Sequence, residues 1–425
     1  MMSDDFSYGL IGEHLPHSYS REIHACLASY DYKLLELAPD ELDGFMRRRE
    51  FRAINVTIPY KRDVIPYLEK IDHHASKIGA VNTIVNRGGK LYGYNTDFYG
   101  MRALINRAGI TLRGKKVLIL GTGGTSKTVL AVAADMGASS VIVVSRSEGD
   151  GAITYESACK YHTDADIIIN TTPCGMFPYA DGGGGRVGVP IDISFFPKLS
   201  GVIDAIYNPL RTNLVLEARA RGIPAVGGLY MLVAQAKWAS EIFTGTYIPD
   251  DALDRVYTKI HTDKENIVLI GMPGSGKSTI GKKLAVKLNR RFFDIDERIV
   301  RRTGLKIPVI FELGGEELFR DIESKITSEI ASENVGCIIA TGGGTVLRTE
   351  NVRALARNGR IYFLDRPPEH LLPTRDRPLA SSIEDITRRY NERYELYKSS
   401  ADCIIKEMIT PNAMAVEIMK EFRNH

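Results

Sequence analysis

Two glycine turns, each entered from a β-branched run and left through a helix-patterned stretch, constrain this chain more than any other feature. The first lies in KKVLILGTGGTSKTVLAVAADMGASSVIVVSRS, where strand, turn, helix and second strand read as one βαβ unit. The second, NIVLIGMPGSGKSTIGKKLAVKL, repeats the strand–turn–helix order with a different glycine spacing. Parallel strands need a crossover, normally a helix, so each unit implies an α/β sheet around it. Further apolar runs at ADIIINTT and GVIDAIYN end in turn residues, as strands buried on both faces do. The turns start at Gly121 and Gly271, and their unlike spacings mark two separate folds rather than an internal repeat. A chain of 425 residues, at roughly 150 per domain, accommodates both. The polar stretch TYIPDDALDRVYTKIHTDKEN lies between them and reads as a domain boundary with a linker. ADGGGGRVGVP reads as a flexible surface loop.

Composition narrows the function classes. Hydrophobic residues at 44% and charged residues at 25% exclude disordered, collagen-like and coiled-coil chains. A net charge of +3 gives no global field for nucleic acid or an acidic membrane, so neither is expected as a partner. Cys26, Cys159, Cys174, Cys337 and Cys403 form no CxxC pair, which argues against a disulfide framework and a zinc site and for reduced thiols in a cytoplasmic protein. The opening MMSDDFSYGL has no secretory pattern, and runs such as VLIL fall far short of the ~20 residues of a membrane span.

The second turn, Gly271 to Ser278, fits GxxxxGK[ST]. Gly274, Ser275, Gly276, Lys277, Ser278 and Thr279 are the expected ATP cradle: backbone N–H groups face the phosphates at a helix N-terminus, Lys277 reaches the β and γ phosphates, and Ser278 binds Mg²⁺. Downstream, FFDIDERI is read as a strand that turns Asp294 and Asp296 to one face, one for magnesium and one for a substrate hydroxyl. FRDIES with Arg320 and Glu323, TGGGTV with Gly342, Gly343 and Gly344, DRPL with Arg377, and ERYELY with Arg393 supply cations and a tight turn suited to a small anionic acceptor. In order and spacing these segments resemble the shikimate kinase family from Asn266 to His425. The resemblance implies that Asp294 helps hold Mg²⁺ and that Asp296 binds the acceptor hydroxyl and takes its proton. It further implies that Arg320, Arg393 and Gly342 to Gly344 hold the shikimate carboxylate and ring hydroxyls, with Arg377 in a lid over the phosphates.

The first turn, Gly121 to Ser126, has two glycines of GxGxxG and Ser126 in place of the third. The next strand ends in VVSRS instead of an acidic residue, so Ser145 and Arg146 suit a ribose 2′-phosphate and favour NADP over NAD. Upstream, Lys61 in NVTIPYKRD and Asp97 in YGYNTDFYG are the chemical candidates, because ketone reduction needs a proton delivered or oriented at the oxygen. Together with HSYS, GAVNTI, NTTPCGM, IDAIYNPLRT and GLYMLVAQA these segments resemble the shikimate dehydrogenase family over roughly Tyr8 to Tyr247. The resemblance implies that Lys61 and Asp97 are the catalytic pair and that Ser18 and Ser20 bind the substrate carboxylate. Thr57, Asn82, Tyr207 and Gln235 would meet the carboxylate or ring hydroxyls. Gly121, Gly123, Gly124, Thr125, Ser145, Arg146 and Ser147 would meet NADP. Arg21 and Ala25 depart from the family's usual proline and asparagine.

The sequence thus predicts an α/β chain with a two-lobed dehydrogenase over 1–250: a substrate lobe of about 1–105 plus 225–250, and a Rossmann-like NADP lobe of about 106–224. A linker over 251–264 and a P-loop kinase with a parallel sheet over 265–425 follow. The expected activities are NADPH-dependent reduction of 3-dehydroshikimate and ATP- and Mg²⁺-dependent phosphorylation of shikimate, with a homo-oligomer open. The alternatives are a quinate-active, NAD-preferring dehydrogenase, or one half kept as a non-catalytic ligand sensor.

Overall fold

The computed structural model describes residues 7–15, 18–149, 151–177, 188–371, 383–408 and 410–425. Most of the glycine-rich stretch, residues 180–187, and Arg377 lie outside these. Two compact units emerge, the first of residues 1–208 and 212–260, the second of 209–211 and 261–425. Among the described residues no helix is long and apolar enough to cross a membrane.

The first unit has two lobes. Strands β1 (Tyr8–Gly12), β2 (Tyr32–Glu36), β3 (Ala53–Val56), β4 (Lys70–Ile71), β5 (Thr83–Arg87) and β6 (Lys90–Tyr94) form a mixed sheet in the order β2-β1-β3-β5-β6-β4. Its β1, β2 and β3 run parallel, and β5 is antiparallel to β3 and β6. Helices α1 (Ser20–Leu27), α2 (Leu42–Arg48), α3 (His73–Ile78) and α4 (Thr96–Arg107) join and cover it. The second lobe holds β7 (Lys116–Leu120), α5 (Gly124–Asp135), β8 (Ser140–Ser145), β9 (Ala152–Thr154), α6 (Tyr155–Tyr161), β10 (Ile167–Asn170), β11 (Gly201–Asp204), α7 (Asn213–Ala220) and β12 (Ala225–Val226). Its sheet is parallel throughout, in the order β12-β11-β10-β7-β8-β9. The order reverses between β7 and β10, which opens a crevice at their carboxyl ends where a dinucleotide binds in such sheets. The chain then returns through α8 (Leu229–Thr244) to the first lobe. There α4 and α8 approach so closely that a Cβ at Gly100 would lie 2.7 Å from the Met231 carbonyl oxygen.

The stretch read as a linker is helical: α9 spans Asp250–Lys264 and buries Leu253, Val256 and Ile260, one face of a helix. The division between the two units, after residue 260, falls within this helix.

In the second unit, β13 (Asn266–Ile270), β14 (Phe292–Asp294), β15 (Ile338–Ala340), β16 (Gly359–Asp365) and β17 (Cys403–Lys406) form a parallel sheet in the order β14-β15-β13-β16-β17. Helices α10 (Lys277–Leu288), α11 (Ile295–Thr303), α12 (Ile307–Glu333), α13 (Thr349–Asn358), α14 (Ile383–Ser400) and α15 (Pro411–Asn424) pack around it. Two apolar clusters, one built on Val268, Ile339 and Phe363 and one on Ile267, Leu284 and Ile418, fill the two faces of the sheet. Helix α12 is broken at Gly314 and Gly315. The break gives Arg320 and Glu323 a helical segment with its own direction.

Candidate active sites

In the first unit the chain leaves β3 through a turn that carries Lys61. The Lys61 backbone carbonyl accepts from the Val81 N–H at 2.8 Å, which ties this turn to the segment before β5. Lys61 Nζ then donates to Asp97 Oδ2 at 2.6 Å. Asp97 sits in the first turn of α4, where the helix N-terminus favours a carboxylate, and is 3% exposed. Asn82 donates to Asp97 Oδ1 at 2.8 Å, and its own Oδ1 accepts from the Thr96 N–H at 2.7 Å. Lys61, Asp97 and Asn82 thus form one bonded cluster, with Lys61 the least covered member, its side chain 16% exposed.

The other expected substrate residues stand on flanking elements. Ser18 and Ser20 bracket the start of α1, where the Ser20 N–H donates to Ser18 Oγ at 3.3 Å. Thr57 follows β3 and donates its N–H to the Ile11 carbonyl at 2.9 Å. Between the serines, the Tyr19 ring lies 5.2 Å from that of Tyr207, and its hydroxyl donates to Asn208 Oδ1 at 3.2 Å. Burial pushes the Tyr207 hydroxyl up to about 12, so it is a neutral donor at neutral pH. Among the described residues no hydrogen-bond donor meets the buried Oε1 of Gln235 on α8, an acceptor poised for a ligand hydroxyl.

At the reversal of the second sheet, Gly121 follows β7 at φ +105, and a Cβ there would lie 2.9 Å from Thr171 Oγ1. A side chain would therefore both strain the turn and close the crevice. Gly123 caps α5, Gly124 and Thr125 begin it, and a Cβ at Gly123 or Gly124 would meet nothing within 4 Å, leaving the turn open to a diphosphate. Ser145 ends β8 and its Oγ accepts from the Ser147 N–H at 3.3 Å. Arg146 between them is exposed.

Sequence reasoning missed the support behind these loops. Asp204, fully buried at the end of β11, accepts from Asn170 Nδ2 at 3.0 Å, from the Ile206 N–H at 3.0 Å and from Thr212 Oγ1 at 2.7 Å. It ties the segment bearing Tyr207 to β10 and to the start of α7. Its only sequence signal is the strand-end position in GVIDAIYN.

In the second unit, Gly274 and Ser275 form the turn, Gly276 caps α10, and Lys277, Ser278 and Thr279 open that helix. Lys277 Nζ folds back to the carbonyls of Gly271 and Met272, 2.8 Å each. Ser275 Oγ is buried with no hydrogen-bond partner among the described residues, and Ser278 Oγ donates to Asp294 Oδ2 at 2.5 Å. The strand argument for the two aspartates does not hold. Asp294 ends β14 and caps α11, accepting from the Glu297 N–H at 3.2 Å, whereas Asp296 lies in the first turn of that helix. The strand stops two residues too early for alternation to reach Asp296, because Asp294 satisfies the helix's open N–H groups. Asp296 instead turns towards the glycine turn: its Oδ1 would lie 3.0 Å from a Cβ at Gly342.

That turn is enclosed on several sides. A Cβ at Gly343 would lie 2.4 Å from Pro273 Cδ, and one at Gly344 2.1 Å from Arg320 Nη2. Arg320, 6% exposed, donates to Glu316 Oε1 at 2.9 Å and to Glu323 Oε2 at 2.5 Å. Arg393 Nη1 donates to the Gly343 carbonyl at 3.2 Å, and the buried Tyr397 hydroxyl donates to the same oxygen. Glu323, fully buried, also accepts from Thr345 Oγ1 at 2.7 Å. It fixes both the arginine and the turn, a role that its spacing of three from Arg320 on a helix made available. The P-loop, Asp296, Arg320 and Arg393 are thereby gathered around one glycine turn.

Fold and sites define a chain with a dinucleotide-type oxidoreductase unit followed by a P-loop phosphotransferase unit. Residues 10–84 match the family model of the shikimate dehydrogenase substrate binding domain, and residues 273–423 match that of shikimate kinase. The chain belongs to the shikimate dehydrogenase family over its N-terminal part and carries a shikimate kinase domain after it. The shikimate dehydrogenase (NADP(+)) of Clostridium beijerinckii is 35% identical over 266 residues, which is 59% of this chain and 96% of that protein. That of Geobacillus kaustophilus is 39% identical over 266 residues, 57% of this chain and 94% of its own length. The crystal structure of shikimate dehydrogenase 1 from Peptoclostridium difficile, 36% identical, covers 60% of this chain and 98% of itself at a TM-score of 0.54.

Proposed function

We propose that this chain performs two consecutive reactions, reduction of 3-dehydroshikimate to shikimate with NADPH and phosphorylation of the shikimate 3-hydroxyl with ATP and Mg²⁺. The observation that carries the reading is the presence in one chain of the Lys61–Asp97 pair and of a P-loop whose Ser278 meets Asp294. NADPH, when bound, supplies the hydride. Lys61 then donates a proton or a hydrogen bond to the ketone oxygen as it becomes a hydroxyl, and Asp97 holds the ammonium in place. Gln235, Tyr207 and Asn82 orient the ring, and Ser18, Ser20 and Thr57 hold the carboxylate. Gly121, Gly123, Gly124 and Thr125 receive the diphosphate, with Ser145, Arg146 and Ser147 at the 2′-phosphate.

ATP, when bound, supplies the phosphoryl group, and Mg²⁺ neutralises charge on its phosphates. The hydroxyl of Ser278 and the carboxylate of Asp294 are hard oxygen donors in contact, which fits Mg²⁺. Lys277 is freed from the two carbonyls to meet the phosphates, Asp296 accepts the proton of the attacking hydroxyl, and Arg320 and Arg393 fix the substrate carboxylate beside Gly342 to Gly344.

The test is one reaction vessel with purified protein, 3-dehydroshikimate and NADPH, to which ATP and Mg²⁺ are added once NADPH oxidation settles. NADPH loss followed by ADP and shikimate 3-phosphate is the expected course. Oxidation of NADH with 3-dehydroquinate only, or no ADP on the second addition, contradicts the reading.

A further inference from the structure

Away from both candidate sites, three side chains converge that no step above uses. His261 lies in the last turn of α9, Glu265 just beyond that helix, and His425 just beyond α15. One ligand atom from each lies within 4.8 Å of the others. Glu265 Oε2 is 2.7 Å from His425 Nε2 and 3.8 Å from His261 Nδ1. We propose that His261, Glu265 and His425 bind a divalent transition-metal ion of the zinc class.

Two imidazoles and a carboxylate are the donor set that zinc, cobalt and nickel prefer over magnesium or calcium. A tetrahedral zinc with bonds of about 2.0–2.1 Å holds its ligand atoms roughly 3.3 Å apart. The two distances above bracket that value, so small side-chain rotations close the site. Three protein ligands leave a fourth position for water. Glu265 has no side-chain exposure, whereas the side chains of His261 and His425 are 23% and 18% exposed, so an ion enters from the histidine side. Arg211 Nη1 donates to Glu265 Oε1 at 2.8 Å. That contact fixes the carboxylate plane and leaves Oε2 for the ion, as an outer partner orients a ligand in known metal sites. The bound ion would pin the end of α15 to the residues that lead into β13.

The test uses the full chain without a histidine tag, stripped with chelator and dialysed against Zn²⁺ in excess Mg²⁺, which keeps hard oxygen sites occupied. Bound zinc is counted by atomic emission, and Co²⁺ is followed by its visible absorption. One saturable zinc per chain and a four-coordinate cobalt spectrum are expected. Both weaken at least tenfold in His425→Ala and in His261→Gln, and stay unchanged in His370→Ala, which removes an exposed histidine paired with Glu407. Circular dichroism checks each variant, and if one fails to fold the other and the cobalt spectrum decide. Non-saturating zinc, or zinc binding in both variants as tight as in the unaltered chain, overturns the proposal and leaves a His–Glu hydrogen-bond cluster.

Discussion

Lys61→Ala separates the two units most sharply. The ammonium lies 2.6 Å from Asp97 Oδ2, and the two side chains are 16% and 5% exposed. At an effective dielectric constant near 20, the Coulomb attraction at that distance is about 6 kcal/mol, most of it offset by the desolvation of both charges. Removing one partner of a buried pair costs about 3–5 kcal/mol when the other charge is left bare. Asp97 keeps its 2.8 Å bond from Asn82, so the stability loss falls at about 3 kcal/mol, the low end of that range. The chemical loss is larger in effect: a positioned proton donor contributes roughly 10²- to 10⁴-fold, or about 3–5 kcal/mol of barrier. The expected result is NADPH oxidation reduced by that factor, KM little changed and kinase turnover retained. Lys277→Ala gives the reverse pattern. Full reductase activity in folded Lys61→Ala refutes the assigned role, and loss of both activities in that folded variant refutes the independence of the two sites.

Three further predictions follow from single contacts. On the proposed contact of Arg146 with the 2′-phosphate, Arg146→Ala loses a charge-assisted bond of about 1.5–3 kcal/mol, so KM for NADPH is expected to rise roughly tenfold to a hundredfold while KM for NADH stays put; parallel changes for both cofactors count against that contact. Burial raises the Asp204 carboxyl to about 7 against the opposing bonds from Thr212, Ile206 and Asn170. The folded state then keeps a proton that the unfolded chain releases near pH 3.9, so stability is full below about pH 4 and falls by about 4 kcal/mol as pH rises to about 7. The single tryptophan, Trp238 on α8, reports unfolding of the first unit, and Asp204→Asn should flatten the fall in its urea midpoint from pH ~5 to ~8; an unchanged slope sinks the idea. Gly228→Ala puts a Cβ 2.1 Å from the Ala205 carbonyl oxygen, a backbone atom that cannot rotate away. A loss of roughly 3 kcal/mol in the Trp238-reported transition, with kinase turnover intact, is expected, and wild-type stability would show that the backbone yields.

Much of the fold was legible because its signals are local. The strand–glycine–helix patterns at Gly121 and Gly271 set backbone conformation within a few residues, and the sheets around both are parallel as the patterns imply. What failed also has a local cause. FFDID reads as strand by composition, yet Asp294 is a better helix cap than strand residue, and α11 begins there. The polar run after Pro249 hid Leu253, Val256 and Ile260, whose helical spacing shows only when charge is set aside. Asp204 stayed out of the expected sites because its carboxylate belongs to no motif, and Glu323, though quoted in FRDIES, was given no role, since their partners Asn170 and Thr345 lie 34 and 22 residues away.

The sequence by itself determined the two α/β units, the phosphate-binding turns and the residue types able to reduce and phosphorylate, since these depend on glycine conformation, helix ends and side-chain chemistry within short windows. Tertiary structure alone decided which of those residues meet. Lys61 reaches Asp97 across 36 residues, Ser278 reaches Asp294 across 16, and His425 reaches Glu265 across 160. Such pairings follow from strand order and helix packing, which are set by burial summed over the whole chain, and no window of sequence contains that sum.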